Sequence, residues 1–431
     1  MDFLWRVFYN ILAVPFFYLF SRIYALFNSK AREAIRGRRG MFHRLAEQIP
    51  HEDTSQGVQV IWFHCSSAGE FEQAKPIITA LKNTLDSARI VVSFFSPSGY
   101  STGLKYPHAD VVCYLPFDTA GNARRMFRLI RPSILIFMGY DAWPNHVWTA
   151  AKMRMPVILA DALVHEGSKR LWPVVRSFLK SVHKHISTHC AISEADAQRL
   201  RRICPEDAEI RVTGDTRFDQ VIARRGAAGK KLEGLLPKFE TPVIIAGSTY
   251  IEDEKVVLDA YYEVLKKWGA AQLILVPHEP KPHRLAEIDA LMTQREIPYR
   301  LLSEMKAYQN GEAIVVDRVG VLAELYLLSD IAFIGGSFRA RVHNVMEPAV
   351  MGKPVLFGPM IQNSLEAVML MERGGGIMVK DSGEMASELI GLLNDGDLRE
   401  SIGNAARTMI EESAGATEKI VSCITKSLRK N

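Results

Sequence analysis

Five stretches of the chain carry side chains able to do chemistry, and each follows a short apolar run. The first is His64-Cys-Ser-Ser-Ala-Gly-Glu70. Gly69 permits an unusual backbone angle at a turn, which places Glu70 in the first turn of a helix running through Leu81. The positive end of that helix keeps a carboxylate ionised and ready to accept a proton. Acidic residues are also favoured in first turns for stability alone, so a general base and a plain helix start are both consistent with the pattern. The second stretch is Gly139-Tyr-Asp141-Ala-Trp-Pro-Asn145. Asp141 is placed to orient a substrate hydroxyl or a catalytic partner, or else to cap a helix with Trp143 in the core. The third, Gly247-Ser248-Thr249 with Glu252 opening a helix, offers hydroxyls and free amides to a phosphate, or a simple cap. The fourth, Pro277-His278-Glu279-Pro280, brings an imidazole to the end of the next strand.

The fifth stretch is the longest: Gly335-Gly336-Ser337, then His343-Asn344, Glu347-Pro348, Gly352, Pro354, Gly358-Pro359 and Asn363. Paired glycines at a strand end admit a ligand close to the backbone. Asn344 is able to open a helix whose amides face an anion, and Glu347, one turn on, to accept from the two hydroxyls of a ribose. The same pair also forms a good capping box. There is no P-loop and no GxGxxG, and Asp395-Gly-Asp397 reads as a surface turn, not a metal motif.

The elements that must position these residues are legible from the hydrophobic pattern. From Val58 to Thr213, seven β-branched runs alternate with amphipathic stretches. The pattern restarts after an Arg-, Gly-, Ala- and Lys-rich segment and gives six more runs between Val243 and Val379. Continuous apolar runs separated by helices predict parallel sheets covered on both faces. The predicted fold class is α/β: two doubly wound αβα domains with parallel sheets facing across a cleft, where ligands would meet the strand carboxyl ends, plus an amino-terminal membrane-associated helix. The expected boundaries are 1–40 for an anchor and basic collar, 41–220 for the first domain, 221–240 for a linker and 241–400 for the second domain. Residues 401–431 form a terminal helix able to pack back on the first domain.

Phe3 to Phe27 is almost wholly apolar, yet Arg6 and Arg22 bracket an uncharged run of only 15 residues, short of the roughly 20 that a clean span requires. Snorkelling arginines with Trp5, Tyr9, Tyr18 and Tyr24 as interfacial anchors permit a short span, and a helix lying in the interface fits as well. Lys30, Arg32, Arg36, Arg38, Arg39 and Arg44 follow against a single Glu33. That collar predicts a cytoplasmic face for all that follows and an attraction to anionic lipid. A cleaved signal peptide is a poor fit, since the basic residues lie on the wrong side.

The 431 residues are 48% hydrophobic and 23% charged with a net charge of +5, which excludes disordered and fibrous classes and argues for no nucleic acid polymer as partner. Cys65, Cys113, Cys190, Cys204 and Cys423 form no CxxC pair and read as reduced, buried thiols, neither disulfides nor a zinc site.

Taken together the segments resemble the 3-deoxy-D-manno-oct-2-ulosonic acid (Kdo) transferases of lipopolysaccharide synthesis over nearly the whole chain. The likeness is carried by the amino-terminal hydrophobic segment, Ser67-Ala-Gly-Glu70-Phe-Glu, Phe95-Ser-Pro-Ser-Gly99, Tyr114-Leu-Pro-Phe-Asp118, Trp143-Pro-Asn145, Gly214-Asp-Thr-Arg-Phe-Asp219 and Gly335 to Pro359. The resemblance implies a GT-B fold and transfer of Kdo from CMP-Kdo to a lipid A precursor at the inner membrane surface, with inversion, no cofactor and no metal in the site. It implies that the general base is Glu70 and that the second acidic position, usually glutamate, is Asp141. It implies nucleotide contacts at Pro277, His278, Val319, Gly320, Ser337, Asn344 and Glu347, to which the residue patterns above add Ser248 and Gly336. Many members have arginine where this chain has His278 and Gly-His-Asn where it has Val342-His-Asn, so the resemblance implies either that His278 holds the phosphate less strongly or that Lys281 assists. A two-domain sugar-nucleotide epimerase and a catalytically silent nucleotide-binding module share the architecture, and the epimerase leaves the apolar amino terminus without a purpose.

Overall fold

A computed structural model describes residues 2–49, 57–85, 87–227 and 236–429. The chain divides into two compact units, Met1–Gln220 together with Ala414–Asn431, and Val221–Ser413.

In the first unit the strands are β1 (Gln59–Cys65), β2 (Ala88–Phe94), β3 (Val111–Tyr114), β4 (Ile134–Met138), β5 (Val157–Ala162), β6 (Thr188–Ala191) and β7 (Ile210–Val212). They form one parallel sheet in the order β3-β2-β1-β4-β5-β6-β7. Alternate side chains of β1 divide between two cores. Val60 and Trp62 pack with Leu135 and Phe137 on one face, while Ile61, Phe63 and Cys65 pack with Phe71, Ile77 and Ile78 on the other. Burial on both faces is why these strands read as unbroken apolar runs.

The second unit repeats the scheme with β8 (Val243–Thr249), β9 (Gln272–Pro277), β10 (Tyr299–Leu301), β11 (Ala313–Val315), β12 (Ile331–Ile334), β13 (Val355–Phe357) and β14 (Gly376–Met378). Their order is β10-β11-β9-β8-β12-β13-β14, all parallel. β10 is the one strand the hydrophobic pattern misses. It is three residues long, lies at the sheet edge and is half-buried throughout, so it needs no apolar run.

The expected linker begins instead as the tail of helix Thr216–Ala227, and its residues 228–235 lie outside those described. The predicted terminal helix is two helices, Gly396–Ser413 in the second unit and Ala416–Arg429 in the first, broken at Gly415 with φ +101°. Ile420, Cys423 and Ile424 insert beside Ile77 and Leu81 of helix Ala68–Thr84. The Gly214–Asp219 motif holds this join. Asp219 accepts hydrogen bonds from the amides of Gly415 (2.7 Å) and Thr417 (2.9 Å) and from the Thr417 hydroxyl (2.9 Å). At Gly214, with φ +98°, an added Cβ would stand 3.3 Å from that of Ala416. Asp395 caps the start of helix Gly396–Ser413, accepting from Leu398 N at 2.8 Å, so the expected surface turn at Asp395-Gly-Asp397 is the first turn of that helix.

The amino-terminal segment is helical from Asp2 to Phe27 with a π-helical turn at Tyr9–Ala13. The interfacial roles expected of Trp5, Arg6 and Tyr9 give way to protein contacts. Trp5 Nε1 donates to Ser177 Oγ at 3.3 Å, Arg6 Nη2 lies 3.2 Å from His185 Nε2, and Tyr9 donates to Asp118 Oδ2 at 2.8 Å. Asp2 pairs with Lys184. Along the same segment Phe3, Leu4, Ile11, Phe16, Leu19 and Phe27 are 60–83% exposed.

Candidate active site

In the first unit the sheet order reverses between β1 and β4, and ligands of doubly wound sheets bind at the carboxyl ends of such a switch point. Glu70 follows β1 and Asp141 follows β4. Ser67 caps helix Ala68–Thr84, its hydroxyl accepting from Glu70 N at 3.3 Å, which fixes the carboxylate in the first turn. The Glu70 side chain folds back so that Oε2 accepts from Ser66 N. A methyl placed on Gly139 would lie 3.5 Å from Glu70 Oε1, so the two motifs are in contact, and Gly139 itself needs its φ of +72° to turn the chain off β4.

The electrostatics differ from the sequence expectation. Burial raises the Glu70 carboxyl to about 7, the Ser66 and Ser67 amides oppose the rise, and the Asp141 charge adds to it. Desolvation therefore outweighs the helix end, and Glu70 titrates near neutrality instead of standing fully ionised. Asp141 is not a helix cap: helix Pro144–Lys152 starts at Trp143 with no side-chain cap. Its Oδ1 accepts from Arg170 Nη2 at 2.9 Å, while Arg170 Nη1 donates to the Tyr140 carbonyl and the guanidinium lies 4.6 Å from the Tyr140 ring centre.

Trp143 forms one wall. It stacks on Phe95 at 5.2 Å and donates Nε1 to His64 Nε2 at 3.0 Å. Burial pushes His64 down to about 3, which keeps the accepting nitrogen neutral. Behind the wall, Asp118 accepts from Tyr9, from Asn145 N at 2.9 Å and pairs with His146 Nδ1 at 2.6 Å. Asn145 also bonds Asn10. Arg38, counted with the basic collar, is turned inward. It donates to the carbonyls of Leu115 and Phe95 at 2.8 Å each and lies over the Phe95 ring, and burial lowers it to about 10.

In the second unit the order reverses between β8 and β12. Ser248 stands at the end of β8 with a left-handed φ of +57°, and Gly335 packs against its backbone, since an added Cβ would lie 2.5 Å from Ser248 O. Gly336 has φ +82°. Asp253 ties this turn to helix Ile251–Lys267 by accepting from Gly336 N (2.7 Å), Phe338 N (3.0 Å) and Tyr250 N (2.9 Å). Ser337 is fully buried and its hydroxyl is committed, donating to Ile334 O at 2.8 Å and accepting from Gly358 N at 2.7 Å. That hydroxyl shapes the loop, and only the backbone here is left for a ligand.

Pro277 ends β9, and the exposed His278 ring stacks on His343 at 4.4 Å, with Tyr250 5.6 Å from His343 and Arg339 over Tyr250 at 4.5 Å. Tyr250, His278, Glu279, His283, Arg284 and Arg339 line a hollow of about 380 Å³. Asn344 does not open the helix. Its Oδ1 accepts from Met346 N at 3.1 Å, and Val345 is the cap of the short helix Met346–Val350. Glu347 lies 3.6 Å from Arg224. Val319, 76% exposed, and Gly320, with φ +87°, form the loop after β11. Lys281 pairs with Glu279.

Residues 34–220 match the family model described as 3-deoxy-D-manno-octulosonic-acid transferase (kdotransferase). A 3-deoxy-D-manno-octulosonic acid transferase of Haemophilus influenzae is 26% identical over 99% of this chain and 100% of its own length. One from Aquifex aeolicus is 27% identical over 82% of this chain and 91% of its own. Over nearly its whole length the chain is similar to Kdo transferases. A crystal structure of a putative UDP-N-acetylglucosamine 2-epimerase from Listeria monocytogenes superimposes with a TM-score of 0.60 at 13% identity, covering 87% of this chain and 98% of that one. That likeness establishes the GT-B fold. Three site residues escape sequence reading: Arg170, Asp253 and Arg339. Arg170 is 29 residues from Asp141 and Asp253 is 83 from Gly336, separations at which no local pattern carries a signal.

Proposed function

We propose that the chain moves Kdo from CMP-Kdo to the primary hydroxyl of a lipid A precursor with inversion, in lipopolysaccharide synthesis, with Glu70 as general base. The observation that carries this reading is a carboxylate at the β1/β4 switch point, half-buried, titrating near 7 and beside a second acid pinned by arginine. A base of that strength is partly ionised at neutral pH and still strong enough to take the hydroxyl proton as the oxygen attacks an oxocarbenium-like centre. Asp141, held by Arg170, keeps the carboxylates apart and orients the acceptor. On the second unit, CMP takes the rim of β8, β9 and β12. Backbone at Ser248 and Gly336 and the His278 and Arg339 side chains meet the phosphate, and Glu347 meets the ribose.

The amino-terminal helix lies flat in the cytoplasmic interface of the inner membrane. Its first turns are bonded to the catalytic unit by Trp5, Tyr9 and Asn10, its bare apolar face enters lipid, and Lys30, Arg36 and Arg39 meet anionic headgroups. The direct test is incubation of membranes holding the protein with CMP-Kdo and a tetraacylated lipid A precursor, followed by mass spectrometry of the lipid. A Kdo mass increment and acceptor-dependent CMP release support the proposal. CMP release without acceptor, or binding without turnover, sinks it in favour of an epimerase or a silent module.

A further inference from the structure

Away from the catalytic carboxylates, three side chains of the first unit converge on one point. His183 ends helix Pro173–His183, His189 lies in β6 and Cys204 follows helix Glu194–Ile203. They are 2%, 0% and 0% exposed. His183 Nδ1 and His189 Nε2 are 3.0 Å apart, and Cys204 Sγ stands 3.5 Å from each.

Neutral tautomers place two protons among three contacts, one ring N–H donating to the sulfur and the thiol donating to the other ring's nitrogen, and the contact between the two nitrogens then has no proton of its own. A metal ion fits the geometry, because each residue offers one ligand atom and the three atoms all lie within 4.8 Å of one another. Tetrahedral zinc with bonds of about 2.0–2.1 Å to nitrogen and about 2.3 Å to sulfur places nitrogens roughly 3.3 Å apart and nitrogen and sulfur roughly 3.5 Å apart. The observed triangle has those proportions.

We propose that His183 Nδ1, His189 Nε2 and Cys204 Sγ bind zinc(II), with a water molecule completing the tetrahedron. On binding, the Cys204 thiol gives its proton to solvent and the sulfur bonds the metal as thiolate. Mixed imidazole and thiolate ligands favour zinc over the oxygen-seeking cations. The cations Arg170 and Lys180 stand near enough to act on His183 and Cys204, and the thiolate charge offsets their opposition to the ion. Its ligands come from a helix end, a strand and the residue after a second helix, so the bound ion ties these three elements together. Its position gives that tie a task. Helix Pro173–His183 offers Ser177 to Trp5, and the turn before it supplies the Arg170 that holds Asp141. The spacing of five residues between the histidines and fourteen before the cysteine resembles no common zinc motif, which is why Cys204 reads from sequence as an inert thiol.

The test is elemental analysis of the full chain purified in detergent with no metal added, before and after incubation with zinc chloride, alongside Cys204→Ser, His189→Gln and the control Cys113→Ser. About one zinc per chain in wild type and control, reduced at least about tenfold in the two ligand variants, supports the site. Exchange of wild type into cobalt(II) then yields an intense thiolate-to-cobalt absorption, a readout that stands even if a ligand variant fails to fold. Under about 0.1 zinc per chain after incubation, zinc retained by Cys204→Ser, another metal in place of zinc, or cobalt uptake without the thiolate band overturns it.

Discussion

Two carboxylates at the carboxyl ends of β1 and β4 differ in their environment. Glu70 is raised to about 7 mainly by burial, and Asp141 contributes through its charge. If Glu70 is the base proposed above, it must be ionised to act, so turnover is expected to rise with pH through about 7 and to fall away below it, a limb measurable as kcat between pH 5 and 9. Glu70→Gln lowers kcat by about 10²- to 10⁴-fold while CMP-Kdo binding, followed by calorimetry, stays near wild type. Asp141→Asn removes a neighbouring negative charge and so eases ionisation of Glu70. The acid limb therefore moves to lower pH, in addition to any loss of rate, and an unmoved limb would separate the two carboxylates electrostatically. The placing of Glu70 in the first turn of its helix was legible in the sequence because it depends on Ser67, three residues away. Arg170 and Asp253 were not, because their partners arrive by tertiary folding, and the balance between burial and helix end at Glu70 was out of reach for the same reason.

At the scale of elements, the sheet switch points do the positioning, and glycines and side-chain carboxylates lock them. Most strands were legible because burial on both faces writes a continuous apolar run, whereas the half-buried edge strand Tyr299–Leu301 leaves no such trace. The Gly214–Asp219 motif was visible but its purpose was not, since Asp219 acts on amides 196 and 198 residues away. Asp219→Ala strips two amides and a hydroxyl of their acceptor and lowers stability by about 1–3 kcal/mol in denaturant titration. Hydrogen exchange should quicken across Ala416–Arg429 first, with the second unit unaffected. In that unit Gly335→Ala drives a Cβ to 2.5 Å from Ser248 O, a separation the backbone must relieve by moving. The expected outcome is loss of CMP binding while the first unit keeps its thermal transition, and unchanged CMP affinity would show that the Ser248–Gly336 turn is not the phosphate rim.

For the whole molecule the proposed reading turns on how the amino-terminal helix meets a membrane. From sequence, a short span and an interfacial helix were equally open, because hydropathy is the same for both. The contacts favour the flat arrangement proposed above. A spanning helix would carry Asp2, Trp5 and Arg6 to the far headgroups, yet these residues are bonded to Lys184, Ser177 and His185 of the catalytic unit, and Phe17 packs on Phe95, Phe117 and Trp143 beside the active site. Breaking those bonds to reach across a bilayer would forfeit several partly buried polar contacts at once, each worth about 1 kcal/mol, and would uncover the aromatic wall. A flat helix keeps them and still places its apolar face in lipid. The two topologies make opposite predictions for Asp2→Cys. All five native cysteines are buried, so a membrane-impermeant maleimide reports the new thiol against little background. Labelling in inside-out vesicles and protection in right-side-out vesicles puts residue 2 on the same side as the catalytic units. The reverse pattern would mean that the helix crosses the bilayer and that its contacts with Ser177 and His185 are not made in the membrane.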